Sequence, residues 1–221
     1  MARKKLIRFA DNEIAKNVIE SNKPIYSTIK GNWNKEFFKN DNPITLELAC
    51  GRGEYSVGLA KQYPDSNFVG IDVKGDRFWV GSNEANENKL ENVGFLRTYI
   101  QNLEQFFAPN EVNRIWIVFP DPRPKEGDRK RRLTSMRFLS MYQRLMPQGG
   151  WIHFKTDNEP LFDFSLQQIA KYPTENLEYT RDLYRSHLAD EHFGIITKYE
   201  KIFENQGFKI NYLKFFLSKS N

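Results

Sequence analysis

At 221 residues, 39% hydrophobic and 28% charged, the chain has the composition of an ordinary globular protein and the length for a continuous core, most simply in one domain. No apolar run reaches the ~18 residues of a membrane span, and the basic start Arg3-Lys4-Lys5 has no secretory-type apolar core behind it, so the expected setting is the cytosol, away from membranes. A single cysteine, Cys50, excludes an internal disulfide framework and a multi-cysteine zinc site, and three scattered histidines offer no ligand spacing, so no structural metal is expected.

Residues 1–43 are polar, with Trp33, Phe37 and Phe38 as anchors and Asn40-Asp41-Asn42-Pro43 as a turn. They read as an N-terminal extension with a mobile basic tip, packed on a domain spanning 44–221. From Ile44 the pattern becomes regular. Apolar runs at 44–48, 68–71, 93–96, 115–119 and 151–154 alternate with helical stretches near 54–63, 75–90, 134–146 and 159–171. Such alternation implies βαβ units and a doubly wound, mostly parallel α/β sheet. The tail differs: a helix near 197–205 leads into the alternating run 208–216, a final strand expected to pair antiparallel with one near 177–184.

The first strand runs into Glu47-Leu48-Ala49-Cys50-Gly51-Arg52-Gly53-Glu54, a glycine turn at the place where doubly wound sheets bind nucleotides. Gly51 and Gly53 permit positive φ and close backbone approach. A dinucleotide fingerprint would need a third glycine where Ser56 stands. Glu47 and Glu54 would also repel a pyrophosphate, but they suit a ligand carrying a sulfonium and an ammonium. Asp72 ends the second strand 19 residues beyond Gly53, where a carboxylate can accept both ribose hydroxyls. A nucleoside with a positive centre and no phosphate is S-adenosyl-L-methionine, and the turn reads as that of a methyltransferase. Cys50 lies in the turn with no activating partner in sequence and is not a nucleophile candidate.

The strand at 115–119 delivers Asp121 to a loop held by Pro120, Pro122 and Pro124. Prolines fix their own φ and favour extended residues before them, so Asp121 and Arg123 are expected extended on a stiff loop. A dense cationic run follows. Residues 123–132 hold six cations (Arg123, Lys125, Arg129, Lys130, Arg131, Arg132) against Glu126 and Asp128, and residues 1–9 hold four more. These two windows outweigh the whole chain's net +5, so basicity is local, as in a nucleic-acid footprint. A cationic loop disfavours a small amine substrate, although a protein substrate or a non-catalytic RNA-binding scaffold stays open on these residues alone.

Some motifs have plain structural readings. Thr197-x-x-Glu200 is a capping box, and Asp157 or Asn158 before Glu159-Pro160 is a helix N-cap. His153, on an apolar strand, reads as core, and His187 and His192 as exposed loop residues.

Taken in order, Glu47 to Gly53, Gly70-Ile71-Asp72, Phe119 to Lys125, Lys130-Arg131-Arg132, Thr156 to Pro160 and Thr197 to Glu200 make the chain resemble the tRNA (guanine-N7)-methyltransferases over about residues 40–216. The resemblance implies a Rossmann-like class I methyltransferase fold, S-adenosyl-L-methionine as donor, and methylation of a guanine in the variable loop of tRNA. It implies cofactor contacts at Glu47, Asp72 and Asn102, with Asp121 serving both cofactor and catalysis. Substrate contacts fall at Lys125, Asp157, Thr197, Lys198, Tyr199 and Glu200, and RNA contacts at the 127–132 loop with Arg129, Lys130, Arg131 and Arg132. Arg123 stands where the family usually has Trp, and Gly127-Asp128 where it has Arg-His. Monomer and homodimer are both open.

Overall fold

The computed structural model describes residues 2–219. Met1, the side chain of Arg3 in the basic tip, and Ser220 and Asn221 at the end of the expected domain lie outside the described residues. The chain forms two compact units, Met1–Val112 and Asn113–Asn221.

The first unit runs α1 (Ala2–Ile14), β1 (Val18–Ile19), β2 (Ile44–Leu48), α2 (Glu54–Gln62), β3 (Asn67–Asp72), α3 (Gly75–Glu87) and β4 (Val93–Arg97). Its strands lie side by side as β1-β4-β3-β2, all parallel. Leu46, Leu48, Val69, Ile71, Phe95 and Leu96 are fully buried. This explains why these strands read as continuous apolar runs rather than alternating ones. Because the strands are parallel, the carboxyl ends of β2, β3 and β4 fall on one edge, with Leu48 opposite Ile71 and Asp72 opposite Arg97.

Residues 2–43, expected as an extension, are built into this unit. The α1 helix lies along α3: Asn12 donates to the Gly75 carbonyl (2.9 Å), Trp79 donates to Asp11 (2.8 Å), and Arg8 stacks over the Trp79 ring (4.8 Å). These contacts turn the basic segment into a docked helix. Residues Trp33–Phe38 form a single π-helical turn. Trp33 is wholly buried, donates to the Phe106 carbonyl (2.8 Å) and stacks on Phe107.

The second unit runs β5 (Arg114–Val118), α4 (Met136–Leu145), β6 (Gly150–Thr156), α5 (Glu159–Ile169), β7 (Thr174–Thr180), α6 (Lys198–Asn205) and β8 (Asn211–Leu217). Its strand order is β5-β6-β8-β7, with β5 and β6 parallel and β8 antiparallel to both neighbours. The expected antiparallel terminal pair is present, with a register shift between Glu175 and Glu178. Among the described residues no helix is long and apolar enough to cross a membrane.

Candidate active site

The candidate residues occur on two edges, one in each unit. In the first unit the chain leaves β2 through a turn of left-handed residues, Ala49 (φ 57°), Gly51 (φ 55°) and Gly53 (φ 75°). A Cβ at Gly53 would come within 2.4 Å of the Phe95 ring, so helix α2 can start this close to the sheet only from a glycine. Backbone amides grip the acids around this turn. Asp72 accepts from Gly51 N (3.1 Å) on one oxygen and from Lys74 N (2.9 Å) on the other. Each carboxylate oxygen has a further lone pair, so Asp72, which is partly exposed, retains acceptor capacity for hydroxyl groups.

Glu47 is nearly buried (5% exposed) and accepts from both the backbone N (2.8 Å) and the Oγ (2.5 Å) of Ser56. It therefore caps α2 from the preceding strand, a role its sequence position did not suggest. Burial pushes its carboxyl up to about 8, and Glu54 and Asp72 push in the same direction against the Ser56 hydrogen bonds. Glu47 therefore holds its proton at neutral pH, and the negative charge of the turn rests on Glu54 and Asp72, which fits a cationic nucleoside and not a pyrophosphate. Asn102 is half-buried in the 3-10 turn Ile100–Gln105 that follows β4, on the same carboxyl edge. Burial and the neighbouring acids push the Cys50 thiol well up, which keeps it inert.

In the second unit, β5 ends at Val118 and Phe119 turns left-handed (φ 47°), its amide donating to the Lys155 carbonyl of β6 (2.8 Å). Asp121 projects into solvent, its side chain 65% exposed, and accepts from Arg123 N (3.2 Å) while the Arg123 Nε lies 3.2 Å from its other oxygen. Arg123 is not extended as its following proline suggested; its φ is 47°. The cause is a double clamp. Asp121 closes a short turn onto the Arg123 amide, and Arg132 donates through Nε (3.2 Å) and Nη2 (3.1 Å) to the Arg123 carbonyl. Non-glycine residues held at positive φ cost ~1–3 kcal/mol each and persist only where the surroundings enforce them.

The basic run is partly neutralised from within. Residues Glu126–Arg131 form a 3-10 turn in which Arg129 pairs with Glu126 (2.7 Å) and Arg131 with Asp128 (3.0 Å). Arg132, expected to touch RNA, donates to the Arg123 carbonyl and lies over the Phe164 ring (4.5 Å). Lys125 and Lys130 are exposed and pair with no acid among the described residues.

At the end of β6, Asn158 is the N-cap of α5, accepting from Leu161 N (2.9 Å). That leaves the half-buried Asp157 out of the cap, its carboxyl pushed up by burial. At the start of α6 the capping box forms as its motif predicted, with Glu200 N donating to Thr197 Oγ1 (3.1 Å) and Thr197 N to Glu200 (3.2 Å). Lys198 and Tyr199 face solvent. Thr197 is 6% exposed, and Glu200 is fully buried, paired with Lys155 and accepting from the Tyr184 hydroxyl. Glu200 thus meets its surroundings here through the helix cap, Lys155 and Tyr184. His153 is buried core, stacked on Trp116 and bonded to the Tyr212 hydroxyl (2.8 Å). His187 is exposed as expected, but His192 is partly buried against the Tyr184 ring.

Solved structures similar to this chain define its class. A 16S rRNA methyltransferase, KamB, superposes with a TM-score of 0.61 at 14% identity, covering 85% of this chain and 92% of that one. A 16S rRNA adenine methyltransferase variant from Catenulisporales acidiphilia, solved with its cosubstrate SAM, gives 0.59 at 11% identity over 94% and 96%. The fold is that of a class I methyltransferase. Residues 41–213 match the family model described as "Putative methyltransferase". The chain is 52% identical over 217 residues to the tRNA (guanine-N(7)-)-methyltransferase of Cytophaga hutchinsonii, covering 97% of this chain and 98% of that one. The chain belongs to the tRNA (guanine-N7)-methyltransferase family.

Proposed function

We propose that this chain transfers the methyl group of S-adenosyl-L-methionine to N7 of a guanine in the variable loop of tRNA, in the cytosol. The observation that carries the reading is near full-length similarity at 52% identity to an enzyme named for guanine N7. The loop chemistry agrees with it, since Asp121 is an exposed carboxylate on a clamped turn followed by cations.

S-adenosylmethionine supplies the methyl group on a cationic sulfonium. When it is bound, Asp72 would accept its ribose hydroxyls, Glu54 would offset its positive charge and Glu47 would do so by giving up its proton beside that cation, Gly51 and Gly53 would let backbone approach it, and Asn102 would contribute from the neighbouring turn. Guanine N7 has an in-plane lone pair, so no residue has to remove a proton before attack. The chain's task is alignment of N7 with the methyl carbon, a contribution of up to ~7–11 kcal/mol in favourable cases. Attack by N7 would place positive charge on the purine as the donor leaves with the S–C electron pair. Asp121 accepts hydrogen bonds from the guanine edge and offsets that charge, and it also contacts the cofactor. Lys125, Asp157, Lys198 and Tyr199 hold the substrate, with Thr197 and Glu200 acting through the helix cap. Arg129, Lys130 and Arg131 hold phosphates, and Arg132 acts through the loop it clamps.

Labelled S-adenosylmethionine incubated with unmodified tRNA and, separately, with 16S rRNA tests the reading. Label is expected on tRNA; label on rRNA alone would overturn it.

A further inference from the structure

The cation at Lys155 is one that none of the motifs above uses. It interrupts the apolar strand β6 between Phe154 and Thr156, and its side chain is fully buried. A buried lysine pays a large desolvation cost, so its partners define its purpose. Its ammonium pairs with Glu200, itself fully buried, and lies 5.9 Å from the Phe119 ring centroid and 5.6 Å from that of Tyr184. Its carbonyl accepts from Phe119 N (2.8 Å). Glu200 in turn accepts from the Tyr184 hydroxyl and from Thr197 N, and the Phe119 ring lies 5.9 Å from Phe203 of α6.

These contacts join the strand end before the Asp121 loop, the strand end before Asp157 and the start of α6. Phe119 is two residues before Asp121, Lys155 is two residues before Asp157, and Glu200 closes the cap beside Lys198 and Tyr199. We propose that Lys155, through its buried pair with Glu200, is a positioning residue that holds the Asp121 loop, Asp157 and the start of α6 in one arrangement for the tRNA guanine. The inference rests on the function proposed above. An apolar pair of similar volume could fill the same space, but it would lack the directional bonds to Thr197 N and the Tyr184 hydroxyl that fix the angle of α6.

The double variant Lys155→Met/Glu200→Leu tests this without leaving a lone buried charge. It is expected to melt cooperatively and to bind S-adenosylmethionine as the wild type does, while kcat at saturating tRNA falls about 100-fold, the scale of a small misplacement of reacting groups. A folded double variant with kcat within about twofold of wild type would reduce the pair to core packing and overturn the proposal. Should the double variant not fold, Tyr184→Phe removes only one donor to Glu200. It is expected to lower kcat about threefold to tenfold with the melting temperature retained, and an unaltered kcat would again overturn the proposal. Wild-type protein that leaves tRNA unlabelled defeats the functional reading itself, whereas wild-type labelling with unaffected variants defeats only the positioning role.

Discussion

In the glycine turn, the acids are held by main-chain amides: Gly51 and Lys74 on Asp72, Ser56 on Glu47. In the proline loop, Asp121 stands largely in solvent and its neighbour Arg123 is held by another side chain, Arg132. Backbone donors preorganise charge without side-chain entropy, which suits a small ligand of invariant shape. A side-chain clamp on an exposed loop suits a large polyanion, because the loop's own ion pairs, Arg123 with Asp121 and Arg131 with Asp128, can be exchanged for contacts to RNA.

The comparison breaks most sharply at Asp121. Asp121→Asn keeps the shape of the loop and removes the charge, and turnover should fall about 10²–10³-fold with tRNA affinity retained. Wild-type turnover in this variant would remove Asp121 from the chemistry. Next in size, Asp72→Ala should weaken S-adenosylmethionine binding by at least about tenfold in calorimetry, the loss expected from hydrogen bonds to a charged group. Unchanged affinity would mean that the glycine turn is not the cofactor edge. Within the basic run the structure separates two kinds of arginine and lysine. Lys130→Ala should flatten the salt dependence of tRNA binding by about 0.7–0.9 in log–log slope, while Arg132→Ala should instead impair turnover through the loop. The reverse pattern would exchange their roles.

The smallest effect concerns Glu47. Its carboxyl is raised from an ordinary value near 4.5 to about 8, so the folded state binds the proton more tightly than the unfolded state. The stability linked to it is complete below pH 4.5 and is lost as pH rises through about 8. Thermal melts of wild type should therefore decline across that window, and Glu47→Gln should flatten the decline. A wild-type curve with the same slope as the variant would show that burial does not perturb this group.

The βαβ alternation was legible because both kinds of signal are local: buried parallel strands read as apolar runs, and helices begin at caps such as Thr197 and Asn158. The place of Glu47, Asp72 and Asp121 at strand ends followed from the same pattern. The α1 helix was not legible, because its docking depends on Asn12 meeting Gly75 and Arg8 meeting Trp79, contacts more than sixty residues apart. Nor were the left-handed Arg123 and the burial of Glu200, which depend on partners farther off in the chain, Arg132 for the one and Lys155 for the other. A lysine flanked by Phe154 and Thr156 in an apolar strand was the one available hint.

Guanine N7 is a nucleophile that needs no base, because its lone pair is already free, and the role proposed for Asp121 is that of a hydrogen-bond acceptor beside it. Digesting methylated tRNA to nucleosides and identifying the product by mass spectrometry against standards tests this most directly. The expected product is 7-methylguanosine from the variable loop. A methyl group on N1 or N2 of guanine, or on a ribose oxygen, would require a proton to be removed and would contradict it.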